Sequence, residues 1–321
     1  AVVRDAQAYL LVVALGLFFS FFNQIFTGLF TCMGAGTVTF RSNAVGLAAN
    51  IVLDPLFIFG LGPVPALGVA GAALATAAGY CVTALAGMGF FALRGKGLRF
   101  RRPRWESRML LYACGNGSSE MVTNLSNAVI TFLFNQLMLS LLGEDGVAAI
   151  TIVLYAQFLL TALYMGFSMG VAPVISFNYG AANHARLQRV FRCCLGFIAL
   201  SSALVFGASL GLAELVVAVF SPAGTAVHAI ALDGFYKFAP AFLFAGLNLF
   251  ASALFTALSD GLVSAVISFA RTFGFLLLAL LLLPGVLGVD GVWIAVPFAE
   301  LACWALSIGF LAAKRNKYHY V

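Results

Sequence analysis

NAVGLAANIVLDPLFIFG, residues 43–60, followed after six residues by LGVAGAALAT, residues 67–76, decides how the rest of the chain is read. The first stretch has the apolar density of a lipid-spanning helix and yet carries one acid, Asp54. Asn43, Leu47, Asn50 and Asp54 recur at i, i+4, i+7 and i+11, so the three polar groups share one helix face. Pro55 follows at once. Lacking an N–H and crowding the previous turn, it is expected to kink the helix as a hinge and to free the carbonyl of Ile51. A carboxylate, two amides and a loosened carbonyl on one face make a candidate site for a small cation or a proton. The plainer alternative is a hydrogen bond between helices, but an aspartate at a bilayer centre costs about 2.5–3.5 kcal/mol, which favours a functional use.

The surrounding chain agrees with a membrane setting. Of 321 residues, 63% are hydrophobic and only 9% charged, and the mean hydropathy is +1.05. A soluble core cannot hide that much apolar surface, so the fold class is an all-α polytopic membrane protein. The net charge of +6 is local rather than general, because Arg94, Lys96, Arg99, Arg101, Arg102, Arg104 and Arg108 hold seven of the 17 Lys and Arg. That cluster reads as a cytoplasmic loop and not as a nucleic-acid surface. The six cysteines lie in or beside apolar runs without metal-ligand spacing, and neither a metal nor a disulfide framework is indicated.

Nine apolar runs of spanning length fall at about 6–33, 38–60, 67–93, 109–141, 147–177, 193–219, 229–257, 262–283 and 291–313. Basic residues cluster after odd-numbered spans (Arg41; the loop cluster; Arg186, Arg189 and Arg192; Lys314, Arg315 and Lys317), whereas connections after even-numbered spans carry none. The positive-inside rule therefore places the C-terminus in the cytoplasm and the first residues outside. An internal repeat accounts for the odd start. FTCMGAG (30–36) matches FTALSDG (255–261), an offset that also pairs Asn23 with Asn248, Thr27 with Ser252 and Thr31 with Thr256. Gly68, Gly71 and Ala75 match Gly288, Gly291 and Ala295. A period of about 220 residues makes spans four to nine one whole six-helix unit and spans one to three the second half of another, with three further helices expected before them. The expected organisation is 1–93, three helices; 94–108, a basic loop between lobes; and 109–321, six helices.

Polar stripes mark four spans: Ser20, Asn23, Thr27 and Thr31; Glu120, Asn124, Asn127, Thr131 and Asn135; Gln157, Thr161, Tyr164 and Ser168; and Asn248, Ser252, Thr256 and Ser259. Groups of this kind must face protein or a wet cavity, and four stripes favour a shared polar cleft over interhelical hydrogen bonds alone. Glu120 is a candidate for titration or for pairing a cationic solute, and rings such as Tyr155 and Tyr164 for holding an organic cation by its face. Arg271 and Lys237 are expected to snorkel to the membrane surfaces. Gly166–Gly170 fits G-x-S-x-G, but it lies mid-helix with no histidine at hand, so helix packing accounts for it and no catalytic residues are assigned.

NIVLDP (50–55), GVAGAALAT (68–76), the Glu120 helix and GFSMGVAPVISFNYGA (166–181) together resemble the MATE (multidrug and toxic compound extrusion) transporters, most closely their bacterial drug-efflux branch. The resemblance covers essentially the whole chain. It implies nine helices of a twelve-helix, two-lobe fold (3 + 6) in the cell membrane that exchanges Na⁺ or H⁺ for cationic, amphipathic drugs, as a monomer with no bound cofactor. Carried over residue by residue, the ion site would comprise Asp54, Asn50 and Thr76 with the carbonyl of Ala72, and Glu120 would be the acid of the second lobe. The cleft would include Asn124, Asn127, Tyr155, Gln157, Tyr164, Asn23 and Asn248. The alternative is a flippase-type exporter of lipid-linked saccharides on a related architecture, which needs several cations lining the cleft.

Overall fold

The computed structural model describes residues 2–60, 65–93 and 105–321, apart from the side chains of residues 2–5, 8, 116, 119, 120 and 123. The described residues form helices joined by short turns, with no strand among them. These are α1 Val2–Cys32, α2 Gly36–Phe59, α3 Val69–Leu93, α4 Ser107–Gly180, α5 His184–Gly211, α6 Ala213–Phe220, α7 Ala226–Phe238, α8 Ala241–Ala257, α9 Gly261–Phe269, a π-helical turn Ala270–Leu276, α10 Leu277–Leu287 and α11 Val289–Tyr318. They divide into two compact units, Ala1–Trp105 and Glu106–Val321. The basic loop residues 94–104 lie outside the described residues; Arg108, in the first turn of α4, is exposed.

Among the described residues seven helices are long and apolar enough to cross a membrane, and the pair α7 and α8, bent by 57°, makes an eighth. One of the seven, Asn124–Gly180, has 57 residues. At 1.5 Å per residue that is about 85 Å, nearly three times the hydrocarbon thickness. Gly143, at φ 68° and ψ −153°, breaks it. Only glycine adopts that backbone freely, so α4 holds two arms each of spanning length, which brings the candidate spans among the described residues to nine. The connection expected between spans four and five, residues 142–146, is thus a one-residue break between helical arms rather than an open loop.

In the first unit α3 packs on both α1 and α2. Phe26 and Phe30 of α1 stack on Phe91 of α3 with centroids 5.8 and 5.2 Å apart, and Gly87 leaves room for the Phe26 ring. Gly46 of α2 sits against Thr83, and Gly79 of α3 sits against the Gly46 carbonyl and Asn50. Lipid tails are as apolar as leucine, so close backbone approach through small residues supplies the attraction that burial supplies in water. The second unit is built around fully buried Trp293, Phe242, Phe250, Phe255 and Tyr164. Gly234 accommodates the Trp293 indole, and Gly246 accommodates Tyr164.

The repeated segments share local geometry. Ala35 N–H reaches the Phe30 carbonyl at 2.8 Å and Gly34 N–H the Thr31 carbonyl at 3.0 Å; Asp260 N–H reaches Phe255 at 2.8 Å and Ser259 N–H reaches Thr256 at 3.0 Å. The turn residue is left-handed in both, Gly34 at φ 69° and Ser259 at φ 60°. Gly68 and Gly288, at φ 56° and 60°, make the second matching turn. Gly71 and Gly291 each lie against a carbonyl of the preceding helix, that of Phe57 or Leu283.

Candidate functional site

In the first unit the antiparallel register of α2 and α3 is set by Gly46 against Thr83, Asn50 against Gly79 and Phe57 against Gly71. That register brings Asp54 level with Ala75 and Thr76. Asp54 is half-buried, and among the described residues it takes no hydrogen bond or ion pair. Asn50, one turn earlier, has a buried amide nitrogen without a partner among the described residues. Rotating that amide would present its oxygen instead. The Thr76 hydroxyl donates to the Ala72 carbonyl at 3.0 Å, which leaves its own oxygen available as an acceptor. Carboxylate, amide, hydroxyl and carbonyl oxygens are the hard donors that a small cation takes, and an unpaired carboxylate can equally accept a proton. Pro55 lies inside α2, which continues helical to Phe59. With no N–H at Pro55, the Ile51 carbonyl lacks its in-helix donor.

Asn23, on α1, is half-buried. Its neighbour Thr31 turns its hydroxyl onto the Thr27 carbonyl at 2.7 Å.

In the second unit the stripes part company. Asn124, Asn127 and Thr131 of α4 are exposed, and the side chain of Glu120 lies outside those described. The stripe on the second arm of α4 turns inward: Gln157 is half-buried, and Thr161 and Ser168 are buried. Two of the expected cleft residues belong to the core. Tyr164 has no accessible surface, and its hydroxyl donates to the Phe242 carbonyl at 3.2 Å. Asn248 is 1% exposed and every polar group of its side chain is engaged. Both are held there because a buried polar group in an apolar unit must find a protein partner. Tyr155, by contrast, is 61% exposed and stacks on Phe220 at 6.3 Å. It lines a cavity of about 800 Å³ with Phe132, Asn135, Gln136 and Glu144, and the Asn135 side-chain oxygen is buried without a partner among the described residues.

Sequence reasoning missed the strongest polar feature of this unit. Arg271, in the π-helical turn, donates from Nε and Nη2 to Glu300 Oε1 at 2.8 and 2.6 Å. Asn248 Nδ2 donates to Glu300 Oε2 at 2.7 Å and to its carbonyl at 2.9 Å, and Ser307 donates to Asn248 Oδ1 at 3.0 Å. Glu300 is 3% exposed. Arg271 therefore does not snorkel; a carboxylate within the unit neutralises it. Lys237 is likewise paired, with Asp233 and Asp290, both at 2.6 Å. Beside the network Ser252, Ser264, Ser268 and Thr256 bond one another at 2.7–3.0 Å. The usable signal was that Arg271 and Glu300 each fall near the middle of their spans, where an unpaired charge is costly. No cluster of three His, Cys, Asp or Glu suited to a metal occurs among the described residues.

A family model described as MatE matches residues 120–282. Over 165 residues the chain is 30% identical to the FAD transporter of Shewanella oneidensis, covering 49% of this chain and 35% of that protein. Over 282 residues it is 25% identical to the multidrug export protein MepA of Staphylococcus haemolyticus, covering 86% of this chain and 59% of that protein. The chain thus spans less than two thirds of the curated relatives it matches. Among solved structures, the outward-facing conformation of a multidrug resistance MATE family transporter superposes with TM-score 0.88 at 22% identity, over 98% of this chain and 70% of that one. A MOP superfamily transporter from Pyrococcus furiosus does so at 0.88 and 21%, over 97% and 70%. These two likenesses are likenesses of fold.

Proposed function

The chain belongs to the MatE family, a multi-pass membrane protein and not an enzyme, and from that premise we propose that it takes part in cation-coupled antiport of small organic solutes. The observation that carries the reading is Asp54: an acid in a spanning helix, half-buried and, among the described residues, without a hydrogen-bond or ion-pair partner, beside an amide nitrogen that also lacks one there. An acid so placed is costly unless a cation or proton comes to it. In the proposed cycle Na⁺ or H⁺ binds at Asp54, Asn50, Thr76 and the Ala72 carbonyl. The occupied site favours one arrangement of α2 about Pro55 and thereby one access state of the two lobes. The exported solute is a cationic amphiphile, met by Glu120 and by aromatic surface such as Tyr155. Coupling requires ion and solute to prefer opposite states.

A second reading follows from the likeness to the FAD transporter: an anionic, nucleotide-like solute in place of a cation. Export of lipid-linked saccharides fits less well, since the two cations it would draw on, Arg271 and Lys237, already have carboxylate partners. The experiment is efflux from proteoliposomes with a Na⁺ or a pH gradient imposed separately, using ethidium and FAD as alternative solutes. Ethidium efflux under one gradient, lost in Asp54→Asn and weakened in Glu120→Gln, is the expected result. Unchanged efflux in Asp54→Asn removes that residue from the coupling, and efflux of FAD alone replaces the solute class.

A further inference from the structure

We propose that the groove between the second arm of α4 and the start of α5 binds an anionic glycerophospholipid, with its phosphate between Arg186 and Arg189 and an acyl chain along the floor. The groove has a volume of about 820 Å³ and contains no acid among its lining residues. Its floor is apolar: the rings of Phe167 and Phe197 stack at 4.1 Å, with Val174 beside them. Phe197, Leu200 and Leu204, respectively 38%, 62% and 63% exposed, continue the apolar surface along α5 away from the arginines. At the mouth, Arg186 and Arg189 are exposed, and neither forms an ion pair among the described residues. The groove therefore has the two-part chemistry of a phospholipid, a cationic end and an oily trough. Basic pockets between spanning helices select anionic head groups for the same reason.

The same arginines satisfy the positive-inside rule, which needs only charge near the loop. A lipid site needs the particular charges that line the groove. Arg192 separates the two, since it is exposed on the same helix but does not line the groove. Cys193 does line it and is exposed, so its alkylation reports occupancy without any substitution.

The test uses purified protein in nanodiscs of phosphatidylcholine with and without phosphatidylglycerol. Native mass spectrometry reads the ratio of the two lipids retained, and peptide mapping reads maleimide labelling of Cys193. Phosphatidylglycerol should be enriched and should slow Cys193 labelling. Each arginine removed in Arg186→Gln/Arg189→Gln should lower the enrichment by about fivefold, while Arg192→Gln and the charge-keeping Arg186→Lys/Arg189→Lys retain it. Inorganic phosphate added to phosphatidylcholine discs should leave labelling unchanged. Labelling of the unsubstituted protein that ignores phosphatidylglycerol, equal loss of enrichment in Arg192→Gln, or protection by inorganic phosphate alone would each overturn the proposal.

Discussion

Two carboxylates in the second unit, Glu300 and Asp260, are held by different kinds of partner, and each responds differently to substitution. Arg271 and Glu300 sit within apolar packing, so breaking the pair strands a charge where water does not reach. Arg271→Met is expected to destabilise the protein by about 3–5 kcal/mol. The double change Arg271→Met/Glu300→Met should recover most of that loss, read as thermal unfolding in detergent. Asp260 lies between α8 and α9, outside the spans. Burial pushes its carboxyl up, but the Tyr318 hydroxyl at 2.5 Å, the Val263 N–H, Lys317 and Lys314 outweigh this and hold it below its ordinary 3.8. A carboxyl more acidic folded than unfolded stabilises fully above about pH 4, and that stability is lost as pH falls through the folded value. Asp260→Asn should therefore be less stable than the parent at neutral pH and should flatten the fall of the unfolding temperature below about pH 4.

At the scale of elements, the internal repeat turns out to be a repeat of turns. Gly34 and Ser259 occupy the same left-handed position, and a Cβ on Gly34 would meet nothing within 4 Å. The only cost of a side chain there is backbone strain, so Gly34→Ala is expected to cost about 1–2 kcal/mol and Ser259→Gly to be neutral or mildly stabilising. Comparing unfolding midpoints of the two variants checks this. What the repeat does not preserve is how its helices are held. By the offsets of 225 and 220, Arg271 corresponds to Gly46 and Glu300 to Tyr80. In the first unit, Gly46 lets α2 and α3 approach closely against Thr83; in the second, the corresponding helices are joined by an ion pair. One architecture is thus held by close packing in one copy and by charge in the other.

For the whole molecule, the proposed coupling rests on one acid in a spanning helix, Asp54. A driving gradient of one ion only, Na⁺ or H⁺, should support efflux, and Asp54→Asn should abolish dependence on that gradient while leaving the fold intact by unfolding midpoint. Loss of efflux with loss of the fold would instead place Asp54 among the structural acids, beside Glu300. Much of the architecture was legible beforehand, because the bilayer fixes span length and forbids unpaired backbone, so hydropathy and charge alternation suffice to count helices. The left-handed turns at Gly34, Gly68 and Gly288 fall within the matched repeat segments, whereas nothing in that matching singled out Gly143. Side-chain partners were not legible.

The chain's composition and periodicity alone pointed to a helical membrane protein, to its candidate spans and to its paired turns, since each follows from local sequence meeting a slab of hydrocarbon. Which polar groups are spent inside the protein was decided only by tertiary packing. Tyr164 and Asn248 carry the same sequence signal as Tyr155 and Asp54, and the difference between a saturated group and an available one is whether a neighbouring helix brings a partner within hydrogen-bonding distance.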